Sequence, residues 1–262
     1  MLEDNKTPKK ILVLKIGSST LTAGSNRISR GKIEDIARQL IILKPDYNIV
    51  IVSSGAIATA KHFIDVNQWD KSESKQALSA IGQPLLMQIY NEIFRDFGIK
   101  SAQCLLTYRD FDNSIAQTNI LNTLSDLFKH GFIPIINEND TIAIDELVFG
   151  DNDKLSAYVA NLLNANLLML ASDIDGLFDK NPHKHKNAKL IPLIKDLKSL
   201  NQFVDESEDS SQLGTGGMTS KIFAAEICSR KNIPMWIVNG GNNNFIVDSI
   251  SHKLKHTRFV FT

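Results

Sequence analysis

The chain has 262 residues, 43% of them hydrophobic, enough to bury a full core around a single domain, and nothing in it reads as a linker between independent units. Its 29 basic and 29 acidic residues leave no net charge, which excludes the strong field that would draw nucleic acid or an anionic membrane and points to a small-molecule partner. Two cysteines in apolar company, Cys104 and Cys228, fit buried thiols in a reducing compartment, and with no signal-peptide pattern or long apolar run the expectation is a soluble cytoplasmic protein.

Residues 9–16, Lys-Lys-Ile-Leu-Val-Leu-Lys-Ile, form an apolar run ending in Gly17-Ser18-Ser19-Thr20, the pattern of a buried strand entering a tight polar turn. Lys15 is the odd residue there. It is either an edge or snorkelling residue or, at the C-terminal end of a strand, a group placed where open α/β sheets bind ligands. Arg30 to Leu43 carries Ile33, Ile36, Ala37, Leu40 and Ile41 at helical spacing, and Pro45 stops it. A second buried strand, Asn48 to Val52, ends in Ser53-Ser54-Gly55-Ala56, which either holds polar ligand groups or caps the helix that follows. Glu73 to Phe97 reads as a long helix, broken or kinked near Gly82 and Pro84, with an apolar stripe suited to a core or a subunit interface. Ser101 to Thr107 is a third strand, Ile115 to His130 a helix closed by Gly131, and Phe132 to Ile136 a fourth strand that runs into Asn137-Glu138-Asn139-Asp140.

Polar residues then crowd the chain: Asp145, Glu146, Phe149-Gly150-Asp151-Asn152-Asp153-Lys154, followed by a helix from Leu155 to Leu163. The alternating Asp and Asn lack the glycine and the closing glutamate of a calcium loop, so they read as a loop presenting carboxylates and amides at a helix N-terminus, or as a solvated turn with Asp capping. Asn166 to Ala171 is a fifth strand without alternation, covered on both faces, and it ends in Ser172-Asp173 and the turn Asp175-Gly176. Ile191 to Asn201 is poorly patterned, and Asp205 to Ser211 reads as an acidic surface loop.

The stretch Gly214-Thr215-Gly216-Gly217-Met218-Thr219-Ser220-Lys221 either combines a backbone able to wrap an anion with a cation able to touch it or is a flexible surface loop ahead of an ordinary helix. Met218 to Cys228 has helical spacing, so the glycines precede a helix N-terminus and Lys221 falls in its first turn. Neither a Walker A loop nor a dinucleotide fingerprint occurs, and no Gly-x-Ser-x-Gly elbow supports a hydrolase. Ile233 to Val238, Phe245 to Ile250 and Thr257 to Phe261 complete the chain as strand, short helix and strand. None of the histidines, His183, His185, His252 and His256 among them, stands at metal-site spacing. Strands separated by helices throughout imply an α/β fold, a mostly parallel central sheet with helices on both faces.

Taken in order, Lys15-Ile-Gly-Ser-Ser, Ser53-Ser-Gly-Ala, Asn137-Glu-Asn-Asp140, Phe149-Gly-Asp-Asn-Asp153, Asp175-Gly-Leu and Gly214-Thr-Gly-Gly-Met resemble the amino-acid kinase superfamily and, within it, the glutamate 5-kinase family. The resemblance runs from about residue 10 to the end. It implies transfer of the ATP γ-phosphoryl group to the side-chain carboxylate of L-glutamate with Mg²⁺, at the opening of proline biosynthesis. It also implies a single kinase domain over residues 1–262 whose N-terminal part binds the acceptor and whose C-terminal part binds ATP, a homo-oligomer, and feedback inhibition by proline. By residue matching, Lys15, Asp153 and Lys221 are the catalytic set, with Asp153 pairing both ammonium groups. Ser54, Asp140 and Asn152 are glutamate ligands. Lys15, Ser172, Asp173, Thr215, Gly216, Gly217, Met218, Thr219, Ser220 and Lys221 are ATP contacts, and no residue is assigned to metal. A C-terminal PUA domain, carried by many bacterial members, has no room before Thr262, Ala60 stands where a glycine is common, and Tyr108 to Thr118 lacks the arginine pattern of the family.

Overall fold

A computed structural model of the chain describes residues 8–25, 27–64, 75–143, 152–182, 184–197, 200 and 217–261. The polar run over Asp145 and Glu146, the Phe149-Gly150-Asp151 stretch, His183, the acidic loop Asp205 to Ser211 and the first residues of the glycine loop lie outside them.

Strands β1 (Lys10–Ile16), β2 (Tyr47–Ser53), β3 (Lys100–Leu106), β4 (Phe132–Glu138), β5 (Leu167–Ser172), β6 (Leu193–Ile194), β7 (Met235–Asn239) and β8 (Thr257–Phe259) form one sheet in the order β3-β4-β2-β1-β5-β7-β8-β6. Every neighbouring pair is parallel except β7 and β8. The helices are α1 (Ser18–Thr22), α2 (Arg30–Leu43), α3 (Ala56–Phe63), α4 (Lys75–Asp96), α5 (Ser114–Lys129), α6 (Asn152–Leu163), α7 (Met218–Ser229) and α8 (Phe245–Ile250).

Strand alternation assigns the layers. On β1, Leu12, Leu14 and Ile16 join a core with α2, α4 and α8, while Val13 joins the opposite core with α5, α6 and α7. By the same period Lys15 projects toward α6 and α7. It sits in a central strand, so the edge or snorkelling alternative does not hold. The order in which strands are added reverses at β1, which lies between β2 and β5 while the connecting α2 and α6 cover opposite faces, and the carboxyl end of such a switch point is where open α/β sheets take ligands.

Several local expectations are corrected. Ser18 to Thr20 start the short α1 instead of a turn. Gly55, at φ 105°, is the N-cap of α3, so neither Ser53 nor Ser54 caps it. Helix α4 runs unbroken through Pro84, and the apolar stripe along it joins the core through Leu78, Leu86 and Phe94. Helix α6 begins at Asn152, earlier than Leu155, which puts Asp153 in its first turn. The poorly patterned stretch contains β6, and a single 3₁₀ turn spans Tyr108–Phe111 behind a Thr107/Asp110 capping box. Burial pushes the Cys228 thiol up to about 12 and also raises that of Cys104, and neither is in a disulfide.

Gly82 is required by packing. A Cβ there would stand 1.8 Å from the Ala56 carbonyl oxygen and 2.8 Å from the Ala60 nitrogen, so α3 lies directly on the backbone of α4. Alanine returns about 1 kcal/mol in helix propensity, but overpacking against backbone costs about 1–3 kcal/mol or more. Gly82→Ala is therefore expected to lower stability in urea titration; a stabilised variant would show that α3 is free to shift.

Candidate active site

Three side chains distant in sequence meet at the carboxyl edge of β1. Lys15 comes from β1, Asp153 from the first turn of α6 and Lys221 from the first turn of α7. Lys15 Nζ lies 2.5 Å from Asp153 Oδ1, and Lys221 Nζ 3.1 Å from Oδ2. Ser220 Oγ also donates to Oδ2, at 2.8 Å. All are buried, Asp153 to 1% exposure. Burial pushes its carboxyl pKa upward, but Lys15 and Lys221 outweigh that and hold it well below the usual carboxylate range. One carboxylate between two ammonium groups leaves one net positive charge for an anion.

Beside this cluster stands a network of amides and hydroxyls. Asn152 Nδ2 lies within donor reach of Ser53 O at 3.0 Å, Ser54 Oγ at 3.0 Å and Asn137 Oδ1 at 2.9 Å. Asn137 Nδ2 in turn donates to Gln83 Oε1 on α4 at 2.8 Å. Asp140, past the end of β4, accepts from Ser79 Oγ one turn before Gln83. Burial raises the Asp140 pKa, and the Ser79 hydrogen bond only partly opposes it. The structure thus brings Ser54, Asp140 and Asn152 to one sheet edge. Asn137, Ser79 and Gln83 were missed as site residues; the signal was a polar pair at i and i+4 inside the apolar stripe of α4.

On the other side of β1, Ser172 ends β5 and its Oγ lies 3.1 Å from Asp173 Oδ1. Ser172 O accepts from Gly240 N at 2.8 Å, which ties the end of β7 to that of β5. Helix α7 starts behind Gly217, an N-cap with no side chain, so the positive end of its dipole is not covered by a capping group of its own. Met218, Thr219, Ser220 and Lys221 form its first turn, while Thr215 and Gly216 lie outside the described residues. Chemically the edge offers two adjacent compartments: a cationic one with a helix N-terminus, suited to phosphate, and an amide-lined one with a carboxylate, suited to a small polar molecule bearing a cation.

Residues 10–239 match the amino acid kinase family. The chain is 39% identical to a glutamate 5-kinase of Helicobacter hepaticus over 97% of its own length and 95% of that protein. It is 41% identical to one of Alkaliphilus oremlandii, with 99% of each covered. Among solved structures, a UMP kinase from Ureaplasma parvum superposes with a TM-score of 0.65 at 18% identity, covering 97% of this chain and 100% of that one, a likeness of fold.

The buried triad makes a thermodynamic statement. Asp153→Asn leaves two buried ammonium groups facing each other, and breaking a buried pair costs about 3–5 kcal/mol. Because its folded pKa is depressed, the contribution of Asp153 is complete above the unfolded value of about 3.9 and fades as pH falls below it. The stability gap between wild type and variant should be full at neutral pH and narrower by roughly 1 kcal/mol at about pH 3. Urea titrations at both pH values check this, and an equal gap at both would contradict it.

Proposed function

The chain belongs to the amino acid kinase family, and on that footing we propose that it works as a glutamate 5-kinase, transferring the γ-phosphoryl group of ATP to the side-chain carboxylate of L-glutamate in the first step of proline biosynthesis. The observation that carries this is the pairing, at one sheet edge, of the Lys15–Asp153–Lys221 cluster with the Asp140 and Asn152 compartment.

A carboxylate oxygen is already a competent nucleophile near neutral pH, so no general base is needed and catalysis reduces to alignment and charge neutralisation. Two anions must approach each other. Lys221, with the N-terminus of α7, acts on the migrating phosphoryl group, and Lys15 lies beside it. Asp153 fixes both ammonium groups before substrate arrives, so little reorganisation remains for the transition state. In the acceptor compartment, Asp140 pairs with the substrate's α-ammonium group, and Ser54 and Asn152 supply hydrogen bonds. Ser172, Asp173 and residues 215–221 contact the nucleotide, so acceptor binding falls to the N-terminal part of the chain and ATP binding to the C-terminal part. Among the described residues no group of three or more His, Cys, Asp or Glu could hold a metal ion. Mg²⁺ brought in on the nucleotide phosphates would neutralise charge there. No described helix is long and apolar enough to cross a membrane, and the location proposed is the cytoplasm. Self-association also belongs to the proposal, and the exposed Ile115 and Leu121 on α5 are apolar groups it would cover.

ADP release measured with glutamate, N-acetylglutamate, aspartate and UMP tests the acceptor, and turnover with any of these except glutamate would overturn it. Lys221→Met should lower kcat roughly a hundredfold or more at little cost in glutamate KM, since a group acting on transition-state charge is worth on the order of 3 kcal/mol. Lost glutamate affinity at unchanged kcat would reassign that lysine.

Proline shares the α-carboxylate and α-nitrogen cation of glutamate without the nucleophile, so it should compete at Asp140. Asp140→Ala is expected to weaken glutamate and proline together, glutamate KM rising by about tenfold or more, with ATP KM little changed. Inhibition that excess glutamate fails to relieve would place proline elsewhere.

A further inference from the structure

Among the described residues, two buried polar atoms at the acceptor edge have no hydrogen-bond partner: Gln83 Nε2, a donor, and Asn152 Oδ1, an acceptor. Their residues are 7% and 3% exposed. An unpaired donor and an unpaired acceptor side by side in a buried site are costly unless something else satisfies both.

The identities of these atoms are fixed at both ends by main-chain groups. The Asn137 side chain must present Oδ1 to the Glu138 backbone N–H, which it accepts at 2.9 Å, so its Nδ2 faces Gln83 and binds Oε1. That leaves Nε2 as the outward donor of Gln83. Asn152 must present Nδ2 to the Ser53 carbonyl, so Oδ1 is left over. The polarity of the whole amide chain is therefore set by the backbone of β2 and β4. Helix α4 brings Ser79 and Gln83 to this edge on one face, because Gly82 lets it lie directly on α3.

We propose that Gln83 is a binding and specificity residue for the acceptor, its Nε2 donating to the substrate's α-carboxylate while Asn152 Oδ1 and Asp140 receive the α-ammonium group. This rests on the assignment of glutamate as acceptor given above. One orphan donor and one orphan acceptor, next to a carboxylate, match the two charged groups of an amino acid and select against acids lacking either. Flipping the Asn137 or Asn152 amide would break a main-chain hydrogen bond, and flipping Gln83 alone would set two donors, its Nε2 and Asn137 Nδ2, against each other.

The test compares L-glutamate with its α-amide, which keeps the nucleophilic side-chain carboxylate and the ammonium group but replaces the anionic α-carboxylate by a neutral carboxamide, a weaker acceptor that also carries a donor. The α-amide is followed as substrate or, where turnover is slow, as inhibitor of glutamate-dependent ADP release. Gln83→Leu should raise glutamate KM by about tenfold or more, with ATP KM within about twofold of wild type and α-amide affinity weakened severalfold less than that for glutamate, because a neutral carbonyl accepts a weaker hydrogen bond than a carboxylate. Gln83→Glu, which offers an acceptor in place of the donor, should shift the glutamate to α-amide preference toward the amide by on the order of a hundredfold. Loss in equal proportion for both acceptors, a parallel loss for ATP, or no change would each overturn the proposal, and thermal melting confirms that the variants fold. If Gln83→Glu does not fold, the leucine variant still decides. A wild type inactive with glutamate sinks the acceptor assignment itself, whereas an active wild type with an unchanged variant ratio sinks only the role of Gln83.

Discussion

The carboxylate of Asp153 is the constraint on which the site depends. Two lysines cannot be buried side by side at the end of a sheet unless an anion separates them, because each loses its hydration and repels the other. Asp153 meets both, and in doing so joins the first strand, the first turn of α6 and the first turn of α7. The pairing works only because Lys15 stands at an odd position on β1, on the side of the sheet that these two helices cover. A one-residue slip of that strand would aim the lysine into the apolar layer of α2 and α4.

The amide network beside it is built on the opposite logic. Its order comes from neutral amides and hydroxyls, anchored at the Ser53 carbonyl and the Glu138 N–H. Neutral groups add little net charge, so they leave the field of the lysine cluster undiminished while still fixing which atoms face the ligand. Asp140 is the exception, and its raised pKa follows from burial that only Ser79 opposes. A cation bound beside it would reverse that shift, so binding and ionisation there are coupled.

Much of this was legible in the sequence, and the physical reasons mark where legibility ended. Runs of consecutive apolar residues announced β1, β2, β4 and β5 because both sheet faces are covered. Helix-forming periodicity gave α2, α5 and α7 nearly to the residue. The start of α6 was misplaced because Asn152 and Asp153 are poor helix formers that tertiary contacts hold in the first turn. Of the break or kink expected near Gly82 and Pro84, the break does not occur, and Gly82 is a close-packing residue against α3. Ser79 and Gln83 were hidden by the same pattern that gave the helix away, since a stripe of leucines and isoleucines draws attention from the polar residues between them.

The ends of β5 and β7 also depend on contacts far from them. Lys32, Asp35 and Gln39 lie buried along α2, and they hold the segment that follows β7. Lys32 Nζ donates to the Gly241 and Asn242 carbonyls at 3.1 and 3.0 Å, Asp35 Oδ1 accepts from Asn244 N at 3.3 Å, and Gln39 Oε1 accepts from Ile246 N at 2.7 Å. These side chains satisfy main-chain groups at the start of α8 that its own residues do not, since Asn244 caps it without a side-chain bond. Burial lowers the Lys32 pKa, only partly opposed by Asp35, so this anchor is held at an electrostatic cost. What it secures is the position of Gly240, where a Cβ would stand 2.5 Å from Thr20 Oγ1 and whose N–H holds the Ser172 carbonyl. Residues of the first crossover helix thereby fix the end of β5 through the segment that follows β7, and β1, β5 and β7 keep a common register at their carboxyl ends.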